Sequence, residues 1–266
     1  MKTIIVDKLK EIEKANNIKI VFACESGSRA WGFPSTDSDF DVRFVYVRNV
    51  ADYLSVRDVK DHLNFPITDE LDVYGWDLKK ILVLMLKSNT TIFEWLQSPE
   101  IYYEDKAFRE ALWQLSQHFF SRRSNTFHYL GIAKSALAAL EENNEIKIKK
   151  LFYVLRPLLA AKWCLEKEKI APMTMTGLLE LLPGNDQVKT AITELIQYKE
   201  TTKEGDRIVV SRELREFINT TFERIAETGK SLGKDTFEAE MLDTFFQKTI
   251  QHYDDKRNKG ERTVAV

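Results

Sequence analysis

Residues 25–43 read ESGSRAWGFPSTDSDFDVR, and this stretch decides how the first third of the chain folds. The apolar, partly β-branched run from Ile18 to Cys24 precedes it and predicts a strand that ends at a Gly-Ser turn. The polar segment from Pro34 to Ser38 is typical of a loop. Aromatic and β-branched residues from Phe40 to Val47 predict a second strand. The stretch therefore joins two predicted strands through a glycine turn and a loop.

Two aspartates lie two residues apart at the start of the second predicted strand. Because the side chains of a strand alternate between its faces, Asp39 and Asp41 are expected to project to the same side. Carboxylates placed in this way repel each other unless a cation lies between them. Magnesium is the natural choice, since it prefers hard oxygen ligands and is usually held by one or two carboxylates together with substrate phosphates.

The Gly-Ser pair and a later aspartate complete the pattern. Gly27 lets backbone amides approach a phosphate because it has no Cβ, and Ser28 adds a hydroxyl donor. A third carboxylate is expected on a neighbouring strand, and Asp72 in the apolar sequence ELDV has the right local pattern. Each feature alone is common, whereas their ordered combination is rare by chance. Together they predict a site for the metal complex of a triphosphate.

These residues resemble the signature of the DNA polymerase β-like nucleotidyltransferase superfamily. Three runs resemble more closely the RNA-repair-pathway-associated (RlaP-type) family of predicted nucleotidyltransferases. They are GSRAWGFPSTDSDFDVR at residues 27–43, LKSNTTIFEWLQSP at residues 86–99 and KKLFYVLRPLLAAKW at residues 149–163. The resemblance extends from about Val21 to Trp163 and is most specific in the first third of the chain.

The resemblance implies an α+β fold: an N-terminal mixed β-sheet core with helices on one side, a C-terminal helical domain, and a cleft between them. It implies that Gly27 and Ser28 contact the triphosphate, and that two divalent ions, Mg²⁺ or Mn²⁺, bind the catalytic residues Asp39, Asp41 and Asp72. The implied reaction moves a nucleoside monophosphate from a nucleoside triphosphate to an acceptor hydroxyl, with RNA as the first expectation for the acceptor. Pyrophosphate is released.

Other polar residues are candidates for contacts with the nucleotide. Arg29 follows the Gly-Ser pair and is suited either to neutralise phosphate charge or to form a structural salt bridge. In a long predicted helix, Lys149, Tyr153 and Arg156 lie at i, i+4 and i+7 and share one face. This face is expected to contact the base, the phosphates or the acceptor, with a solvated surface as the alternative. Lys150 competes with Lys149 for the position at the site.

A second polar set in the helical region is a further hypothesis for acceptor contacts. It consists of Arg122, Arg123, His128 and Tyr129. Glu94 is instead expected to pack its short helix against the sheet.

Strand and helix patterns mix up to about residue 104, whereas everything after it is typical of helix. We therefore expect a catalytic domain at residues 1–104, a helical domain at residues 105–253 that closes the cleft, and a polar tail at residues 254–266. A third strand is expected from Leu71 to Gly75. Asp77 is expected to cap the helix that follows this strand, and Asn89 to end that helix.

The composition excludes several classes of protein. The 266 residues include 39 Lys and Arg against 41 Asp and Glu, a formal charge of −2, which argues against a polybasic mode of nucleic-acid binding. A hydrophobic fraction of 44% supports one or two compact domains. Cys24 and Cys164 lie in apolar runs and are expected to be buried thiols rather than disulfide or metal ligands. No apolar run is long enough to span a membrane, and a cytoplasmic location is expected.

Two other functions stay open at this point. The chain could be a catalytically silent module that binds a nucleotide or RNA, although carboxylates without a metal would repel one another and the phosphates. It could also be a transferase that acts on a protein or a small molecule, since RNA would require a longer positive groove.

Overall fold

A computed structural model describes residues 1–68, 70–138, 145–184 and 186–264 of the chain, with residues 257–264 described by their backbone alone. A five-stranded mixed β-sheet forms the centre of the N-terminal half. Its strands are β1 (Lys19–Glu25), β2 (Phe40–Val47), β3 (His62–Asn64), β4 (Leu71–Asp77) and β5 (Ile101–Glu104), in the spatial order β3-β4-β2-β1-β5. β2 and β4 run parallel, and the other neighbouring strands are antiparallel.

The sequence pattern predicts β1, β2 and β4 and misses β3 and β5. These two strands are three and four residues long, too short to show a clear alternation of side chains. They lie at the two edges of the sheet, and their hydrogen-bonded partners are β4 and β1. Their strand structure therefore depends on pairing rather than on local pattern.

The helices surround this sheet and continue as a helical half. Those described are α1 (Lys2–Ala15), α2 (Gly27–Trp31), α3 (Val50–Tyr53), α4 (Leu78–Leu86), α5 (Thr90–Trp95), α6 (Lys106–Gln117), α7 (Arg122–Leu137), α8 (Ile148–Lys167), α9 (Met175–Leu178), α10 (Gln187–Glu200), α11 (Arg212–Lys230) and α12 (Glu240–Val264). Residues 139–144, the end of a region expected to be helical, lie outside the described residues.

The two faces of β2 are covered by different helices. Val42 and Phe44 pack in a core with α1, whereas Val45 and Val47 on the opposite face pack in a core with α4, α5 and α6. Helices thus cover both faces of the sheet, and the implied arrangement with helices on one side is wrong. The reason is that β2 alternates apolar side chains to both sides over its second half. On the second face, Asp41 takes the place of an apolar residue near the start of β2 and leaves that end open.

Asp77 and Asn89 cap the first turns of α4 and α5 with their side chains. The Asp77 side chain accepts a hydrogen bond from the backbone N–H of Lys79 at 2.8 Å and caps α4, as predicted. The expectation that Asn89 ends α4 is wrong. The helix ends at Leu86, and the Asn89 side chain accepts from the N–H of Thr91 to cap α5. An asparagine between two apolar runs fits either role, and the packing of α5 decides it.

The helical half has its own core, built mainly by α7, α8, α9 and α11. Phe33, from the loop after α2, inserts into this core and stacks on Phe152 with a centroid separation of 4.6 Å. The expectation that the chain is helical throughout after residue 105 is wrong. β6 (Glu145–Lys147) and β7 (Arg207–Val209) form a two-stranded antiparallel sheet, and three-residue strands give no usable pattern.

The last helix returns to the N-terminal half. Leu242 and Tyr253 of α12 pack in the core of α4 and α6, and the Tyr253 hydroxyl donates to Asp105 at 2.8 Å. The predicted division at residues 104 and 105 stays a prediction. Residues 254–264 of the predicted polar tail continue α12, and residues 265 and 266 lie outside the described part of the chain. None of the described helices has the length and apolar character needed to cross a membrane.

Both cysteines are buried free thiols, as predicted from the apolar runs around them. Burial raises the pKa of the Cys24 thiol, and raises that of Cys164 to about 12. Both therefore behave as small apolar side chains in the cores.

Candidate active site

The Gly-Ser segment lies where β1 ends, and Gly27 packs directly against a carboxylate. Its φ of +60° is in the left-handed region that favours glycine. A Cβ at this position would lie 1.8 Å from Oδ2 of Asp41. The lack of a side chain at Gly27 thus makes room for the Asp41 carboxylate.

Glu25 holds the backbone beside this contact. Its carboxylate accepts a hydrogen bond from the backbone N–H of Asp41 at 2.7 Å and another from the Tyr102 hydroxyl. Burial raises the pKa of Glu25, against the lowering effect of these hydrogen bonds. Glu25 therefore fixes the start of β2 through these hydrogen bonds.

The three predicted carboxylates come together on the face of the sheet opposite α1. The parallel register of β2 and β4 places Asp41 directly beside Asp72, and their side chains are 22% and 21% exposed. Asp39 precedes β2. Burial raises the pKa of Asp41, and the negative charges of Asp39 and Asp72 raise it further. Asp39 is thus close enough to act electrostatically on the pair.

Arg43 bridges the two paired aspartates and was not singled out from the sequence. Its Nη2 donates to Oδ1 of Asp41 at 2.8 Å and to Oδ2 of Asp72 at 2.7 Å, while Nη1 donates to the carbonyl of Asp72 at 2.9 Å. The signal was available, because Arg43 is two residues after Asp41 and therefore on the same face of β2. Its guanidinium stands where a cation would bind between the carboxylates.

The donor set fits a divalent cation, although the side chains do not form a metal site as they stand. Among the described residues, no three acidic, histidine or cysteine side chains have the geometry of a metal cluster. Asp41 and Asp72 are instead held by Arg43. The three carboxylates outnumber the guanidinium that binds them, and the nearby Lys149 is already paired with Glu204, so a negative excess remains. All three carboxylates offer the hard oxygen atoms that Mg²⁺ and Mn²⁺ prefer.

The loop between Gly-Ser and Asp-x-Asp is clamped by the helical half. The Ser28 hydroxyl donates to Ser38 at 3.1 Å, and Ser38 in turn donates to Glu204 at 3.0 Å. The fully buried Lys199 donates to the Ser35 hydroxyl at 2.6 Å. Burial lowers the pKa of this lysine. The loop geometry around Ser28 therefore depends on residues more than 160 positions away in the chain.

Arg29 also serves this loop. Its Nε donates to the carbonyl of Asp39 at 3.0 Å and its Nη2 to the carbonyl of Ser38 at 2.7 Å, and its guanidinium lies over the ring of Phe40 at 4.0 Å. These contacts are neither of the two roles expected from the sequence. They leave phosphate binding by Arg29 a prediction.

One face of α8 forms the opposite wall of the site. Lys149 pairs with Glu204 and is close enough to Asp39 for the two charges to interact. Burial raises the pKa of Tyr153, and the negative charges of Asp41 and Asp39 raise it further. Burial works against the charged form of Lys149, but the ion pair with Glu204 raises its pKa. Lys150 is exposed, so Lys149 holds the position at the site. Contact of Lys149 and Tyr153 with a nucleotide stays a prediction.

Arg156, the third residue of this predicted face, lies in a buried cluster. Its Nη2 is 2.9 Å from Glu94 Oε1, and its Nε donates to the carbonyl of Met173 at 3.0 Å. The Tyr129 hydroxyl donates to the same Glu94 oxygen at 2.7 Å, and the Arg156 guanidinium lies over the ring of Trp31 at 4.4 Å. These contacts join α2, α5, α7 and α8. Glu94 thus does more than pack α5 against the sheet.

The four residues of the second polar set lie on α7 but contact different parts of the protein. Arg122 donates to the carbonyl of Leu165 at 3.0 Å, and Arg123 donates to the carbonyl of Leu232 at 2.7 Å. Both arginines therefore serve helix and loop ends. Of this set, His128 lines a cavity near the site, and burial lowers the pKa of its imidazole.

That cavity has a volume of about 350 Å³ and lies between the sheet and helices α5, α7 and α8. Arg43 belongs both to its wall and to the bridge between the carboxylates. Tyr74, Trp76 and Trp95 are among the rings that line it. The sequence pattern did not predict this cavity, because its wall combines residues from distant parts of the chain.

Comparisons with known proteins identify the family to which the chain belongs. The chain is 42% identical over 232 residues to the uncharacterized protein YcgL of Bacillus subtilis (strain 168), which covers 87% of this chain and 89% of that protein. It is also similar to the crystal structure of a nucleotidyltransferase-like protein from Exiguobacterium sibiricum 255-15. That match has 12% sequence identity and a TM-score of 0.32, and covers 85% of this chain and 75% of that chain. The family model that matches residues 1–248 is RlaP, and the chain therefore belongs to the RNA repair pathway DNA polymerase beta family.

Proposed function

We propose that the protein is a metal-dependent nucleotidyltransferase that moves a nucleoside monophosphate from a nucleoside triphosphate to an acceptor hydroxyl. The observation that carries this proposal is the pairing of Asp41 with Asp72 in adjacent parallel strands, packed against Gly27 and next to Asp39. Membership of a polymerase β-like family supports the reaction class. RNA as the acceptor and a reducing, cytoplasmic location, which two buried free thiols favour, belong to the proposal.

Asp39, Asp41 and Asp72 are the residues that would hold two divalent cations. When bound, Mg²⁺ or Mn²⁺ supplies stabilisation of the negative charge on the attacking and leaving oxygens. Arg43, which binds both Asp41 and Asp72 in this structure, would have to give up this bridge for the carboxylates to hold a cation. Its guanidinium is then available to a substrate phosphate.

The transfer breaks one phosphorus–oxygen bond and forms another. The acceptor oxygen bonds to the α-phosphorus, the bond from that phosphorus to the oxygen bridging to the β-phosphate breaks, and pyrophosphate leaves. Asp72 accepts the proton of the acceptor hydroxyl. Gly27 and Ser28 contact the triphosphate, and Lys149 with Tyr153 contacts the nucleotide from the opposite wall.

Incubation with each α-labelled nucleoside triphosphate, Mg²⁺ or Mn²⁺, and pooled RNA tests the proposal. We expect the wild type to label RNA and release pyrophosphate, and the double variant Asp39→Asn/Asp41→Asn to lose at least about 1,000-fold in rate. Asp7→Asn, an exposed carboxylate on α1, is the matched control and should keep full activity. Circular dichroism and thermal unfolding verify that each variant is folded.

Different outcomes separate the alternatives. Metal-dependent binding of the nucleotide without transfer to RNA points to a protein or small-molecule acceptor. Nucleotide binding that does not depend on the carboxylates or on metal favours a catalytically silent module and contradicts the proposal.

A further inference from the structure

The cavity beside Arg43 continues the face that carries the carboxylates. Asp72, Tyr74 and Trp76 occupy alternate positions of β4, so they lie on the same face of the sheet. Arg43 contacts Asp72 and also lines the cavity. Its volume of about 350 Å³ is within the range of small-molecule sites, roughly 300–1,000 Å³. A ligand in this cavity would therefore lie next to Asp72.

Aromatic rings from four elements form much of the cavity wall. Trp76 of β4 and Trp95 of α5 have ring centroids 4.5 Å apart. Trp31 of α2 and Tyr153 of α8 form a second pair, at 5.5 Å and edge to face. Rings arranged around one space are suited to a flat ligand, and stacking on aromatic side chains is worth about 1–3 kcal/mol per nucleobase.

Two of these rings carry hydrogen-bond donors without an acceptor. The indole Nε1 atoms of Trp31 and Trp76 are buried, and neither has a hydrogen-bond partner within the described part of the chain. A buried N–H group without an acceptor costs free energy, so it calls for an explanation. An indole can only donate, and a ligand that supplies acceptor atoms would satisfy it where a shift of the cavity wall uncovers the N–H group. The ring carbonyls and ring nitrogens of a nucleobase are such acceptors.

The charges around the cavity favour a neutral ring over a triphosphate. Arg156 in the wall is already paired with Glu94, and their side chains are only 5% and 12% exposed. Burial lowers the pKa of His128, which keeps this imidazole neutral at neutral pH. Among the described lining residues, Arg43 is the cation that could be released, and it is held by the carboxylates in this structure.

The position of the cavity points to the acceptor rather than to the nucleotide donor. Gly27 and Ser28 follow β1, on one side of β2, whereas Tyr74 and Trp76 belong to β4, on the other side. Trp31 and Tyr153 close the cavity towards the Gly-Ser segment, so Tyr153 forms the boundary between the donor nucleotide and the cavity. We propose that this cavity binds the base of the acceptor, a nucleoside whose free hydroxyl lies at Asp72. This inference rests on the proposed function, in which Asp72 accepts the proton of that hydroxyl.

The nucleoside has two sources with the same chemistry: the terminal residue of an RNA strand, or a free nucleoside. Binding is measured by tryptophan fluorescence, since three of the five tryptophans line the cavity. The probes are adenosine, guanosine, cytidine and uridine, each without metal. We expect at least one of them to bind saturably. Displacement by a short RNA with a free 3′ end identifies the RNA terminus as the source, and its absence identifies the free nucleoside.

Two variants change the cavity without touching the carboxylates. Tyr74→Leu removes a stacking surface and Ile132→Phe fills space from a half-exposed position, and each should weaken nucleoside binding about 10-fold or more. Trp113→Leu, on α6 and outside this cavity, is the matched control and should leave the affinity unchanged. Nucleoside affinity that is the same in all three variants overturns the proposal.

A competition experiment separates the acceptor from the donor. The nucleoside should remain bound in the presence of Mg²⁺ and a saturating nucleoside triphosphate analogue with a methylene group between the α- and β-phosphorus atoms. Displacement by this analogue assigns the cavity to the donor base and overturns the proposal.

Magnesium tripolyphosphate probes the proposed function independently. If it binds and no nucleoside does, the cavity inference fails and the proposed function stands. If neither it nor the analogue binds, the proposed function fails.

Discussion

Two arginine–carboxylate clusters lie close together in this protein and differ in charge balance. Arg43 bridges Asp41 and Asp72, and Asp39 adds a third negative charge nearby. The two bridged carboxylates are each about one fifth exposed. The second cluster pairs Arg156 with Glu94, and both side chains are nearly inaccessible.

The difference concerns what each cluster is still able to bind. Glu94 already accepts from Tyr129, and Arg156 donates to the carbonyl of Met173, so the second cluster is electrically neutral and joined by hydrogen bonds on both sides. In the first cluster, one guanidinium faces an excess of accessible carboxylates, which remains attractive to a cation. A balanced buried pair holds elements together, whereas an unbalanced and partly exposed cluster is suited to binding.

The largest effect on stability is expected at the balanced cluster. Glu94→Gln keeps the volume of the side chain but leaves Arg156 buried without a counter-charge, and should cost about 3–5 kcal/mol of the free energy of unfolding. Thermal and urea unfolding measure it. Glu168→Gln, which removes an exposed partner of Arg122, is the control and should cost less than about 1 kcal/mol. Equal losses in the two variants would show that Glu94 is not a structural ion pair.

A third carboxylate gives an intermediate effect that depends on pH. Asp77 is 3% exposed, and burial raises its pKa from 3.8 to about 6 despite hydrogen bonds from Lys79 and Tyr53. The folded protein therefore binds this proton more tightly than the unfolded chain does. The contribution to stability is complete below pH 4 and is lost as the pH rises to about 6.

Asp77→Asn removes this titration while an amide oxygen remains to cap α4. The stability of the wild type relative to the variant should fall by up to about 3 kcal/mol between pH 4 and pH 7. Unfolding of both proteins across this range measures the difference. A difference that does not change with pH would mean that Asp77 stays ionised throughout.

The smallest effect is expected at Arg43, where the charge balance itself is changed. Arg43→Gln removes the cation that bridges Asp41 and Asp72, and should raise the affinity for Mn²⁺ about tenfold, or about 1.4 kcal/mol. Paramagnetic resonance of free Mn²⁺, without nucleotide, measures this affinity. Arg29→Gln removes the same charge from a side chain that binds backbone carbonyls, and serves as the control. An unchanged or weaker affinity in Arg43→Gln would contradict the assignment of Arg43 as a resident counter-ion.

The sequence predicted the parts of the site that depend on local geometry. Alternation along a strand puts Asp39 and Asp41 on one face, and the apolar sequence around Asp72 marks a strand. Gly27 lacks a Cβ whatever the fold, and in the structure this leaves room for the Asp41 carboxylate. The same kind of argument predicted the Asp77 cap, which forms within two residues. The roles of these residues in catalysis stay predictions.

Arguments from local geometry do not give the partners of Arg43 and Arg156. The helix face that Arg156 shares with Lys149 and Tyr153 predicts contact with the nucleotide, which stays a prediction, but the pattern does not give its ion-pair partner, Glu94. The sequence pattern did not mark Arg43 as a site residue, yet it bridges the carboxylates. Helical and strand periodicity assign a side chain to a face, but they carry no information about the element that packs against that face.

Local patterns in the chain thus determined the central strands, most helices and the carboxylate motif, because these depend on neighbours a few residues apart. Tertiary packing determined which charges meet. The register of β2 with β4 brings Asp72 beside Asp41, and the docking of the helical half brings Glu204 to Ser38. The physical reason is that an ion pair or cavity wall needs partners from distant segments, and their approach is set by burial of the shared cores rather than by local conformation.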